Sequence, residues 1–293
     1  MRSGNHEMIL SKEADYRTIT LFFVVSFIVV LLYLLAYQFG IIQYVEELTG
    51  GLLHRTLILN AFLILTAIYG ILIFWKKLEL RDFGLITQKL PTAIVVALVT
   101  WFLIQMIEGI ISYIYTGSIE LEPGWTTDSL GLIGLLVGML FGTALYEETG
   151  YRGFLLIQFR MKMEDVTRNK LAQITLALIV SQILFTVLHI PWKVLNQGWT
   201  TDVFFDLLFS VFVNGIIYSL LYLRTENLFF VMFVHAFGNA PTSLFRSYLG
   251  SSNILLLLAI IWAVIWPRLL TREREDVIST YDSISGRDNT EVG

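Results

Sequence analysis

The chain has 293 residues, 56% of them apolar and only 15% charged, with a net charge of −4 and a mean hydropathy of +0.69. Soluble domains carry roughly 25% charged residues, so this composition excludes a water-soluble globule. The acidic balance excludes a basic field for nucleic acid, and the lack of cysteine excludes disulfides, thiolate metal cages and a cysteine nucleophile.

Along the chain, apolar runs long enough to cross about 30 Å of hydrocarbon as a helix recur with short polar breaks. The first, Ile19–Phe39, is too long for a signal-peptide core and lacks a small-residue cleavage site, so it reads as a retained span. Leu52–Trp75, Ala93–Tyr115, Leu130–Leu156, Leu171–Ile190, Val203–Leu223, Leu228–Leu249 and Ile254–Leu270 follow. The expected fold is all-α, a polytopic transmembrane bundle of about eight spans. It forms a single integral-membrane domain over 1–270, with a functional core at about 130–249. Residues 271–293 are polar and read as a disordered tail.

Lys and Arg in the connections set orientation. Of the 20 in the chain, sixteen fall in the two termini, the 76–89 and 160–170 connections and at Arg224. Only Arg55, Lys193 and Arg246 fall on the opposite side, and Arg152 lies within a span. Both termini are therefore expected in the cytoplasm, and the loop carrying Glu120, Glu122 and Asp128 outside. The expected location is multi-pass in the plasma membrane of a prokaryote.

An ionisable side chain in hydrocarbon costs at least about 2.5–3.5 kcal/mol, so each one asks for a reason. The fourth span contains Glu147, Glu148 and Arg152 in the run YEETGYRGFL. Glu148 and Arg152 are four apart and share a helical face, so they can pair as structural support. Glu147 points about 100° away and is left without a local cation, which leaves it free for chemistry. The fifth span ends in FTVLH, placing His189 just before Pro191, and the seventh carries HAFGN, with His235 and Asn239 on one face and Pro241 beyond.

A lone histidine in a span is more often a hydrogen-bonded helix contact than a catalyst. Glu, His, His and Asn on three spans are harder to explain separately. Glu108 in the third span either faces the same cavity or pairs locally. Asn60, Asp206 and Asn214 read as interhelical hydrogen-bond partners, and Gly131, Gly134, Gly138 and Gly142 as a surface for close helix contact. Placed on this topology, His189 should lie near the outer end of its span, whereas Glu147 and His235 fall deeper.

The three segments EETGYR, FTVLH and HAFGN resemble, in order, the EExxxR, FxxxH and HxxxN motifs of the CPBP (CAAX protease and bacteriocin-processing, or Abi) intramembrane proteases. The resemblance covers about Leu130 to Leu249 and implies hydrolysis of a peptide bond within the membrane, as in the type II CAAX prenyl endopeptidases. Glu147 is the expected general base on water, with His189 helping to hold it. His235 and Asn239 are the expected donors to the oxyanion. Glu147, His189 and His235 also make a His₂Glu set for one catalytic zinc, and a metal-free mechanism uses the same residues. The expected partners are membrane lipid and a peptide or protein substrate, lipidated or not. Two other classes remain open: a non-catalytic immunity or scaffold protein of the same fold, and a proton-coupled transporter, since Glu/His chains also relay protons.

Overall fold

A computed structural model describes residues 12–240 and 243–267. The tail 271–293, Arg268 and Pro241 lie outside the described residues. Six helices are long and apolar enough to cross a membrane: α1 (Tyr16–Gln38), α3 (Arg55–Trp75), α4 (Leu90–Thr116), α5 (Ser129–Met163), α6 (Lys170–Gln197) and α7 (Thr201–Thr225). Between the first two lies the short amphipathic α2 (Ile41–Leu48). Among the described residues no strand forms beyond one isolated bridge between Leu121 and Phe245.

Among the described residues six helices reach that length, where eight spans are expected. The seventh and eighth apolar segments form the shorter apolar helices α8 (Leu228–Asn239) and α9 (Ser251–Pro267), the latter running to the last described residue. α8 stops after Asn239 because the chain turns to extended backbone at Ala240. It is then tied to α4: the Leu244 amide donates to Gln105 Oε1 at 2.6 Å, and Ser247 Oγ donates to Glu108 Oε1 at 2.6 Å. Glu108 is thus spent holding this connection and does not face the cavity described below.

Capping residues fix where the helices begin. Asp15, Asp128, Asn169, Thr200 and Asn227 each accept from a backbone N–H in the first turn of α1, α5, α6, α7 and α8, satisfying donors that an apolar medium cannot. The outward faces are apolar, as on α1, where Val24, Ile28, Leu31, Leu32 and Leu35 are exposed. Such faces are stable only against lipid.

α5 organises the bundle. A Cβ added at Gly134 would lie 2.0 Å from the Gly51 carbonyl oxygen, and one at Gly142 would lie 3.2 Å from Leu57 Cα. The start of α3 therefore packs backbone to backbone on α5, as small residues allow in membranes. Asn60 Nδ2 ties the two helices by donating to Thr143 Oγ1 at 3.0 Å, the interhelical role expected of it. Widened π turns at Gly138–Ala144 and Glu148–Leu156 flank Glu147, and such turns often occur at functional sites.

Candidate active site

The middle of α5 is buried on every side, with Glu148 and Arg152 fully inaccessible and Glu147 8% exposed. Charges at this depth persist only when paired and hydrogen-bonded. Glu148 Oε1 lies 3.3 Å from Arg152 Nη1 on the same helix. Arg152 Nη2 donates to the Gly215 carbonyl at 3.2 Å, and its guanidinium lies 4.6 Å from the Phe185 ring centroid. Arg152 therefore joins α5 to both α6 and α7.

The sequence reading left out the second partner of Glu148. His235 Nδ1 lies 2.6 Å from the same Oε1, across 87 residues of chain. A carboxylate accepts, so Nδ1 carries the proton and Nε2 points the other way. Tyr218 stacks on the imidazole at 4.8 Å and 18°, fixing its plane. A signal for Tyr218 did exist: Ser210, Asn214 and Tyr218 recur every four residues along α7, a polar line in an apolar helix.

His189 is oriented in the same manner. Its Nδ1 lies 2.8 Å from the Phe185 carbonyl oxygen, which can only accept, so Nε2 is again left facing the site. Both Nε2 atoms converge on Glu147: His189 Nε2 is 3.5 Å from Oε1 and His235 Nε2 is 3.8 Å from Oε2. Where Glu147 has no local cation along its helix, it faces two imidazoles from α6 and α8.

The expected mismatch in depth does not arise. α6 does not stop at Ile190 but runs through Pro191 to Gln197, so His189 sits about two turns short of the helix end, level with Glu147. Proline removes one backbone donor, yet the helix continues. Trp192, one residue further on, packs against Tyr37 of α1 at 5.2 Å.

Glu147, His189, His235 and Asn239 share a cavity of about 140 Å³ with Asn214, Ser210 and Tyr218. Asn214 was expected to bond a neighbouring helix; instead its Nδ2 donates to Ser210 O on its own helix at 3.2 Å, while the side chain lines this cavity. Asp206 does bridge helices, through an ion pair with Lys193. A second cavity, of about 230 Å³, lies on the other side of Glu147 and His189 and is walled by α1, α3, α5 and α6. The Glu147–His189 pair thus stands between a polar chamber and a largely apolar one.

The two imidazoles address different oxygens of Glu147, and among the described residues no group of three His, Asp or Glu side chains is arranged to hold a metal ion. What the cluster offers chemically is a carboxylate, two oriented imidazoles and a carboxamide around one small space. That inventory suits activation of a water and stabilisation of a developing anion.

No curated protein and no solved structure matches the chain. Residues 129–241, from the start of α5 to just beyond Asn239, match the family model described as type II CAAX prenyl endopeptidase Rce1-like. The motif residues, their convergence within an apolar bundle and this match support assigning the 129–241 region to the CPBP, or CAAX-protease, family.

Proposed function

We propose that the protein is an intramembrane endopeptidase in which Glu147 activates the hydrolytic water without a metal. The observation that carries this reading is the position of the Glu147 carboxylate, within 3.5 Å of His189 Nε2 and 3.8 Å of His235 Nε2 at the wall of a cavity. A water between Glu147 and His189 gives a proton to the carboxylate as its oxygen attacks the scissile carbonyl carbon. The carbonyl oxygen becomes the oxyanion and accepts from Asn239 Nδ2 and from Nε2 of doubly protonated His235, whose charge the Glu148 carboxylate balances. Glu147 then delivers its proton to the leaving amine, which departs as the tetrahedral carbon re-forms a carbonyl. Each such donor typically contributes about 100- to 1000-fold in rate.

The substrate is a peptide at the membrane, processed near its C-terminus in the CAAX manner and lipidated where a lipid brings it to the bilayer. The catalytic unit is the 130–249 region within one membrane domain over 1–270, and both termini lie in the cytoplasm of a prokaryotic cell. The charge bias of the connections and the position of the motif residues support these assignments.

The test is cleavage of a membrane-associated peptide by the purified protein beside Glu147→Ala, His189→Ala and His235→Ala. The expected result is turnover by the parent and a loss of at least about 100-fold in each variant, with all three still inserting and purifying. Normal turnover by any of them overturns the mechanism. A scaffold or transporter of this fold would cleave nothing in any form.

A further inference from the structure

Asn214 stands at the middle of α7, a span of 25 residues, and its side chain is exposed. The rest of that outward surface is apolar, with Phe204, Phe205, Phe209 and Leu220 exposed along the same helix. A carboxamide facing hydrocarbon costs free energy unless its polar atoms are paired. Nδ2 is paired only within the helix, to the Ser210 carbonyl at 3.2 Å, and among the described residues Oδ1 has no partner. Packing gives no reason for an asparagine at this position. The cavity that it lines together with Glu147 gives one.

The outer half of α7 is sparsely covered. Leu207–Val213 packs mainly on α6, whereas α8 packs on the inner half, Asn214–Thr225. α8 ends at Asn239. α9 begins level with that end, where Ser252 Oγ donates to the Gly238 carbonyl at 2.9 Å, and runs inward to Arg224, whose Nε donates to the Ala263 carbonyl at 3.0 Å. Ser210, Asn214 and Asn239 line the catalytic cavity and are all exposed, so the cavity is open on this side. An occupant that suits this opening brings unpaired polar groups into hydrocarbon. Lipid chains carry none, and an intact helix has spent its backbone groups internally. A peptide being cleaved differs: its carbonyl carbon is open to attack only where the segment unwinds, and unwinding frees backbone N–H groups where no water takes them. A carboxamide oxygen accepts from such a group.

We propose that Asn214 Oδ1 accepts a backbone N–H of the unwound substrate segment beside the scissile bond, which makes the open face of α7 the peptide-binding wall of the site. This rests on the hydrolytic reading above and adds to it the group that holds the substrate's backbone. Asn214 touches the peptide and not the reacting bond. Its loss is therefore expected in KM more than in kcat, and one neutral hydrogen bond corresponds to about 3- to 10-fold.

The experiment uses the full chain and a membrane-associated peptide that it cleaves, beside analogues in which one amide at a time, other than the scissile one, is replaced by an ester. An ester lacks the N–H and keeps every side chain. The expected result is one position near the scissile bond at which the ester raises KM about 3- to 10-fold for the parent. Asn214→Leu, of similar volume, should raise KM for the all-amide peptide by the same factor and be indifferent to the ester at that position, as a direct pairing requires. Asn214→Gln, which keeps the carboxamide, should retain part of the discrimination. The melting temperature of Asn214→Leu should be unchanged or higher, since an exposed polar group is removed from mid-span. A scan in which no ester raises KM for the parent overturns the proposal. An Asn214→Leu variant that still discriminates against the ester overturns it too, by assigning the N–H to another group. A lowered melting temperature in Asn214→Leu overturns it by assigning the side chain to packing. Failure of the parent to cleave any peptide overturns the hydrolytic reading, and this proposal with it.

Discussion

Glu148 holds His235 by its Nδ1 at 2.6 Å and, with the same oxygen, holds Arg152 at 3.3 Å. The helical spacing of Glu148 and Arg152 gives only the second of these contacts, a brace within α5. The first makes the brace part of the site, because the tautomer and aim of His235 depend on the acceptor at Nδ1. Two neighbouring carboxylates on one helix therefore do different work. Glu148 is committed to Arg152 and His235, and Glu147 faces the cavity.

Glu148→Gln and Arg152→Ala should therefore lower both melting temperature and turnover. Each leaves a buried partner without its counter-charge, which typically costs about 3–5 kcal/mol. Glu147→Gln should abolish turnover with a much smaller change in melting temperature. The measurement is thermal unfolding in detergent beside peptide cleavage. A Glu147→Gln variant that melts below Glu148→Gln would reverse the assignment of which carboxylate is structural.

Gly134→Ala should destabilise the bundle, although alanine is the better helix former. Its Cβ would meet the Gly51 and Leu52 carbonyl oxygens at 2.0 and 2.9 Å, and backbone cannot rotate aside. A cost of about 1–3 kcal/mol is expected, read as a lower melting temperature. An unchanged melting temperature would show that the α3–α5 contact is looser than this packing.

Cysteine placed in the Glu120–Asp128 loop should be labelled by an impermeant reagent on intact cells. Cysteine in the Arg160–Lys170 connection should react only after permeabilisation. The Lys and Arg distribution supplies the reason. The opposite labelling pattern would invert the topology.

Burial pushes the His54 imidazole below its ordinary value, with Arg55 acting in the same direction and Glu46 against it. Neutral His54 caps α3, with Nδ1 accepting from the Thr56 amide at 3.3 Å. A folded-state value below the unfolded one means that stability is present above about pH 6.5 and is lost as pH falls through the lowered folded value. Melting temperature should thus drop on acidification, and His54→Asn, which retains a cap, should lose that part of the drop. An identical pH profile in the variant would assign the acid sensitivity elsewhere.

The membrane character and the helical spans were legible because the cost of burying charge in lipid is written into composition. The Glu, His and Asn positions were legible because polar side chains stand out in apolar runs. Pairing across the bundle was not. Nothing in one dimension says that Glu148 meets His235, or that Tyr218 stacks on it, since those contacts follow from how α5, α7 and α8 pack. The end of the fifth span was misplaced at Ile190 because proline usually terminates a helix, and here α6 continues to Gln197. The seventh segment reads as a full span because hydropathy does not register the break at Ala240, beyond which Leu244 and Ser247 are held by Gln105 and Glu108.

Glu147 lies one residue past the midpoint of α5, a helix of 35 residues and therefore about 50 Å long, in a bilayer whose hydrocarbon is about 30 Å thick. On the proposed mechanism the reacting bond accordingly comes within the hydrocarbon, where a peptide is strongly held in helix because its backbone groups have no other partners. A helical peptide hides its carbonyl carbons behind its own hydrogen bonds. Substrates are then sorted by how readily their backbone unwinds at that depth, and a chain end, whose last carbonyls are already unpaired, is the cheapest place to unwind.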